Sequence, residues 1–227
     1  GAAERDHQTT GHPDALPDAE AACDWLIARE DVASVFAIGH SGGAVQGVEQ
    51  AARERVIAGS VLLAASAKTG EETLRWQARQ MGEKVLPAPV RAIMRHFRTD
   101  MLKQHDKAIT KLKATTADVT RMNLAKVNAK WMREFMAHDP KPSIETAKVP
   151  LLAITGAKDV QVDAADLDLI GATAPSAEVH ALDDVDHILR HEPAAISNPR
   201  KYRKQIAQPI SPTVTTLLVD WLARVTA

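Results

Sequence analysis

Residues 39–43 read Gly39-His40-Ser41-Gly42-Gly43, which fits G-x-S-x-G, with the apolar run VFAI directly before it and a segment at helical spacing directly after. A sharp strand-to-helix turn at that point forces the serine into a strained backbone conformation and lifts its hydroxyl above the edge of a sheet. Its neighbours two positions either side must be small, because strand and helix pass close together there. The following helix directs its first amides and the positive end of its dipole at any oxyanion forming beside the hydroxyl. A serine hydroxyl is a poor nucleophile at neutral pH, so this chemistry needs a base and a group to orient it.

The sequence offers both in order. GAKDVQVD places Asp159 at the exit of the apolar run VPLLAIT, and ALDDVDHILRHEP places His187 in a loop 28 residues further on. Asp163 and Asp166 are alternative acids, but they follow Val162 into a helix start, where capping is their simpler role. Alternative bases are His191, before Glu192 and Pro193 in a polar loop, His180 in a strand-like segment, His40 inside the turn, and His12. Asp183, Asp184 and Asp186 crowd before His187 and read as solvated loop charges that would favour its imidazolium form. His40, Trp131 and Phe135 are the candidates for substrate contact; for Trp131 and Phe135, which with Met136 fall at helical spacing, core packing is the equal alternative.

Alternating elements must position these residues. Pro17 to Glu30 has helical spacing, Ser34 to Ile38 reads as a strand, Gly42 to Arg55 as a helix and Val56 to Ala65 as a strand. Val149 to Thr155 and the weaker Ala177 to Leu182 add two strands, and Ser211 to Val225 a closing helix. Strands separated by helices imply an α/β fold, a mostly parallel sheet with helices on both faces. Gly70 to Asp139 carries almost no strand signal and reads as a helical, cap-like insertion. The expected division is a core part over 1–66, the insertion over 67–148 and a second core part over 149–227.

Net charge separates these parts. The total of −1 is distributed as −6 over residues 1–65, +8 over 66–148 and −3 over the remainder. The lysines of the insertion, Lys103, Lys107, Lys111 and Lys113 among them, read as a solvated helical face. No recognised motif and little aromatic interleaving accompany them, so nucleic acid is not an expected partner. No run approaches the roughly 18 apolar residues that span a bilayer. No His, Cys, Asp and Glu cluster has metal-ligand spacing, and neither metal nor cofactor is expected. Cys23 is the one cysteine, so no internal disulfide forms; it reads as a small buried helix residue, and a cytoplasmic setting is the expectation.

GHSGG, then GAKDVQV, then DVDHIL and a terminal helix together resemble the α/β-hydrolase fold, in the serine esterase and peptidase-like branch where a helical segment interrupts the sheet. The resemblance covers most of the chain from about Asp18. It implies Ser41 as nucleophile, His187 as general base and acid, Asp159 as orienting carboxylate and the Gly42 amide as one oxyanion donor. It further implies hydrolysis of a small-molecule carboxylic ester through an acyl-enzyme. The strands and HG-type loop that precede the nucleophile strand in such folds have no counterpart in the opening residues. A separate N-terminal polypeptide of the same protein, or a second copy of the chain, is therefore an expected partner, and a non-catalytic binding or assembly module is the alternative.

Overall fold

The computed structural model describes residues 9–53, 57–96, 100–122 and 125–227, and these fall into two compact units. One comprises Ala19–Lys68 and Asp139–Ala227; the other comprises the residues up to Asp18 together with Thr69–His138. In chain order the elements are α1 (Leu16–Ile27), β1 (Phe36–His40), α2 (Gly42–Ala52), β2 (Gly59–Leu63), α3 (Gly70–Gln80), α4 (Ala88–His96), α5 (Met101–Ala114), β3 (Val119–Met122), β4 (Ala125–Asn128), α6 (Ala129–Ala137), α7 (Lys141–Glu145), β5 (Leu151–Gly156), α8 (Asp166–Thr173), β6 (Glu178–Leu182), α9 (Tyr202–Gln205) and α10 (Pro212–Thr226).

The first unit is built on a four-stranded parallel sheet in the order β1-β2-β5-β6. Every residue of β2 and β5 is buried, which is why GSVLL and LLAITG read as near-continuous apolar runs rather than alternating ones. Successive side chains divide between the two faces. Leu62 and Ala153 join Ala44 and Val48 of α2, Ile144 of α7 and Leu167 and Ile170 of α8, whereas Val61, Leu63, Leu152 and Ile154 pack with Val214 and Trp221 of α10. A third cluster of Val35, Ala51, Ile57 and Leu151 takes in Cys23 and Leu26 of α1, where the cysteine is half-buried. Parallel pairing brings the C-terminal ends of β1, β5 and β6 to one edge, and Ser41, Asp159 and His187 all follow those ends.

The second unit holds α3–α6, the helices expected of the insertion, and adds to them a short ribbon that the weak strand signal did not mark. Val119–Met122 and Ala125–Asn128 form an antiparallel two-stranded ribbon, Val119 paired with Asn128 and Met122 with Ala125. Four-residue strands containing Met, Arg, Ala, Lys and Asn leave no β-rich run in the sequence. The pairing is secured by tertiary packing instead, as Met122 and Val127 lie against Ile109, Leu112, Ala129 and Met136. Thr69 opens α3 with a capping box, its hydroxyl accepting from Glu72 N while the Glu72 carboxylate accepts from Thr69 N.

Candidate active site

Ser41 stands between β1 and α2 with φ 54° and ψ −120°, a region that favours glycine and costs a serine about 1–3 kcal/mol. Two backbone bonds hold it there: Ser41 N–H donates to Leu63 O at 2.9 Å and Ala44 N–H donates to Ser41 O at 3.0 Å. The glycine requirement is one-sided. A Cβ on Gly39 would come within 2.2 Å of Gly43 O, whereas one on Gly42 or Gly43 would meet nothing within 4 Å. Gly39 is thus the residue that lets the strand and helix approach, and Gly42 supplies the first amide of an eleven-residue helix beside the hydroxyl.

Asp159 is buried, and both its oxygens are used. Oδ1 accepts from Gln161 N at 2.6 Å and Val162 N at 3.0 Å, and Oδ2 accepts from His187 Nδ1 at 2.7 Å. Accepting from Nδ1 fixes the proton there and leaves Nε2 of His187 as the basic nitrogen. The loops carrying the two residues interlock. A Cβ on Gly156 would lie 2.0 Å from Val185 O, and Lys158 N–H donates to that same carbonyl at 3.0 Å. His40, exposed at the end of β1, donates from Nε2 to His187 O at 2.7 Å, with the two rings 4.9 Å apart. The residue next to the serine therefore grips the backbone of the histidine.

The alternatives lie elsewhere. Asp163 bonds Lys68 at 2.8 Å, and Asp166 accepts from Ser66 Oγ at 2.8 Å, from Ala67 N at 3.1 Å and pairs with Lys68 at 2.7 Å. Burial works against the Lys68 ammonium, but its bonds to the two aspartates outweigh this and raise its pKa. His180 pairs with Glu178 and the exposed His191 with Asp184, each at 2.8 Å. His12, Trp131 and Phe135 belong to the other unit, where Trp131 and Phe135 stack at 5.0 Å and His12 packs edge-on to Trp131 and tilted against Phe135. Met136 beside them is a core residue, 3% exposed. Burial, and secondarily the nearby His138, lowers the His12 pKa to about 4.

Sequence reasoning missed one residue beside the site. Asp183 and Asp184 are solvated, as expected, but Asp186 is fully buried at 0% exposure. The sequence signal was only a carboxylate next to a histidine, and no spacing rule separates a buried aspartate from an exposed one. Among the described residues no group of His, Cys, Asp or Glu is placed to hold a metal ion, and no helix is long and apolar enough to cross a membrane.

The sequence profile of the alpha/beta hydrolase family matches residues 4–201. The chain belongs to that family. Comparison with curated proteins finds no sequence match. Among solved structures, this α/β hydrolase resembles Est1E from Butyrivibrio proteoclasticus at 14% identity and TM-score 0.52, covering 79% of this chain and 63% of that one. The ferulic-acid-bound form of Est1E matches at 15% identity and TM-score 0.57, covering 92% and 74%. E-2-(acetamidomethylene)succinate hydrolase matches at 17% identity and TM-score 0.50, covering 89% and 75%. The chain thus spans less than two thirds of the first Est1E structure, and identities at this level establish the fold alone.

Proposed function

We propose that this α/β hydrolase is a serine hydrolase of carboxylic esters, with Ser41 as nucleophile, His187 as general base and acid, and Asp159 as the carboxylate that orients it. The observation that carries this reading is the combination of a strained Ser41 at a helix N-terminus with a buried 2.7 Å Asp159–His187 bond on the neighbouring loops. Ser41 Oγ attacks the ester carbonyl carbon as His187 Nε2 takes its proton, and the oxyanion is met by the Gly42 amide. Collapse of the intermediate breaks the carbon–oxygen bond, and the alcohol leaves with the proton from Nε2. Water then repeats the sequence on the acyl-enzyme, with the proton passing through Nε2 again and Ser41 as the leaving group. Asp159 keeps its negative charge throughout and stabilises the imidazolium. The name of one similar structure, E-2-(acetamidomethylene)succinate hydrolase, agrees with hydrolytic chemistry.

The test is labelling by a fluorophosphonate probe, with p-nitrophenyl acetate and butyrate turnover followed in parallel. Labelling that disappears in Ser41→Ala is the expected result, and a folded protein that never labels at Ser41 would sink the reading. Whether Trp131 and Phe135 act in acyl selection is read in the same assay. A changed acetate-to-butyrate ratio in Trp131→Ala would support that role, and a loss of stability alone would assign them to packing.

A specific observation favours a second reading, in which this chain is one part of the catalytic body. Among the described residues β1 pairs with β2 alone, and Ile38 on it is 51% exposed, so an apolar strand presents an open edge there. In that reading a further polypeptide segment pairs with β1 and supplies the second oxyanion amide. Co-expression with a polypeptide segment that pairs with β1 in this way would then raise Ser41 labelling by about 10²- to 10³-fold, the usual worth of one oxyanion donor.

A further inference from the structure

Three buried carboxyl groups lie on the loops around the histidine turn, Asp159, Asp186 and Glu192, and they are not equivalent. Both oxygens of Asp159 accept hydrogen bonds, as described. Both oxygens of Glu192 do as well, Oε1 from Ala194 N at 2.9 Å and Oε2 from Gln205 Nε2 at 2.9 Å. Asp186 differs. Its Oδ1 accepts from Arg190 N at 2.8 Å, whereas its Oδ2 is buried with no hydrogen-bond partner among the described residues.

Asp186 also closes the turn that carries the histidine. Its N–H donates to Arg190 O at 3.0 Å, its carbonyl accepts from Leu189 N at 3.0 Å, and its Oδ1 binds the Arg190 amide. Val185 and His191 bridge just outside, and the turn's strain falls on Leu189, at φ 61°. His187 is the second residue of this five-residue loop, so its backbone direction depends on the clasp.

Among the described residues, the groups facing Asp186 give it no compensating cation. Arg190, whose amide it binds, directs its guanidinium to the carbonyls of Ile188 and Gln208. Glu192 on the same loop and Asp159 on the loop after β5 are like charges, and Tyr202 of α9 is a neutral phenol with its pKa pushed up to about 12, mainly by burial. Burial, aided by those two carboxylates and opposed by the backbone bonds, raises the Asp186 pKa. A charged carboxylate with one buried oxygen lacking a hydrogen bond carries a desolvation cost that protonation lowers, because a neutral acid is cheaper to bury than an ion.

We propose that Asp186 is a positioning residue for His187, held as a neutral carboxylic acid whose Oδ1 clasps the 186–190 turn and whose protonated Oδ2 leaves Asp159 as the one ionic partner of the imidazole. The consequence is a base whose charge balance is set by Asp159 alone, although Asp186 is its immediate neighbour in the chain. This rests on His187 being the base, but its principal readout does not require turnover.

The experiment follows the imidazole nitrogens and the low-field Nδ1 proton of His187 by NMR titration in the full-length protein, Asp186→Asn and Asp186→Ala, with fluorophosphonate labelling rates measured alongside. Asp186→Asn keeps the acceptor oxygen and removes the titrating proton. It should therefore retain the low-field resonance, an unmoved His187 midpoint and labelling within about threefold of the parent rate. Asp186→Ala should weaken that resonance and slow labelling by about tenfold or more at unchanged probe saturation. A His187 midpoint lowered by about one unit or more in Asp186→Asn would show an ionised Asp186 and overturn the proposal. An Asp186→Ala protein that labels and titrates like the parent would overturn it too. Absence of Ser41 labelling in every variant, with the low-field resonance still responding to Asp186, would instead count against the esterase reading alone.

Discussion

The serine turn and the histidine turn solve the same problem in opposite ways. Each is a tight turn at the end of a strand, and each contains a non-glycine residue at positive φ, Ser41 at 54° and Leu189 at 61°. In the serine turn the strain sits on the functional residue, and its room comes from Gly39, where the strand and helix backbones nearly touch. In the histidine turn the strain is displaced two residues past His187, and the loop is closed by a buried side chain, Asp186. Steric closure demands a particular residue type and so leaves a motif. Closure by a buried polar group demands only a suitable interior, which no local pattern announces.

The largest effects should come from the groups proposed to carry the chemistry. Ser41→Ala is expected to abolish probe labelling and to lower kcat by about 10⁶-fold, measured against a mock-purified control. Asp159→Asn should lower kcat by about 10⁴-fold with the thermal transition nearly kept, because the amide presents the wrong partner to Nδ1. A drop of tenfold or less would mean that the histidine turn holds its ring without that carboxylate, erasing the contrast between the two turns.

Stability measurements sharpen the steric side. Gly39→Ala drives a methyl into the Gly43 carbonyl and is expected to cost about 3 kcal/mol or more in denaturant unfolding. Gly43→Ala, with nothing within 4 Å of the new methyl, should gain about 0.5–1 kcal/mol from reduced backbone freedom of the unfolded chain. Equal losses at the two positions would show that the close approach is mutual rather than one-sided.

The smallest expected effect is one of pH, in the other unit. His12 is buried against Trp131 and Phe135 with its folded pKa lowered to about 4. The unfolded chain therefore takes up the proton first, near 6.5, and stability contributed by the neutral ring is full above that pH and falls as pH drops from 6.5 towards 4. His12→Gln should lower the unfolding midpoint at pH 8, where the neutral ring contributes fully, and flatten its fall over that window. A midpoint equally steep in the variant would assign the acid sensitivity to other groups.

Much of the core was legible in the sequence, and the reasons are local. GHSGG between an apolar run and a helical one announces the strained turn, because only a residue without a side chain fits at Gly39. LLAITG and GSVLL announce buried parallel strands, because both faces of β2 and β5 are covered. The β3–β4 ribbon was not legible, since Val119–Met122 and Ala125–Asn128 owe their conformation to Ile109, Leu112 and Met136 beneath them. Nor was the difference between Asp184 and Asp186, two residues apart, one solvated and one wholly buried.

By itself the sequence determined the α/β class and the order of Ser41, Asp159 and His187 along the chain, because periodicity and glycine placement act over a few residues. Tertiary structure decided which side chains touch. It joined His187 to Asp159 rather than to Asp163 or Asp166, set His40 on the histidine's carbonyl and drew Asp186 out of water. Those outcomes depend on parallel strands bringing their ends to one edge and on an interior whose low dielectric changes what a carboxyl group does, and neither is a property of neighbouring residues in the chain.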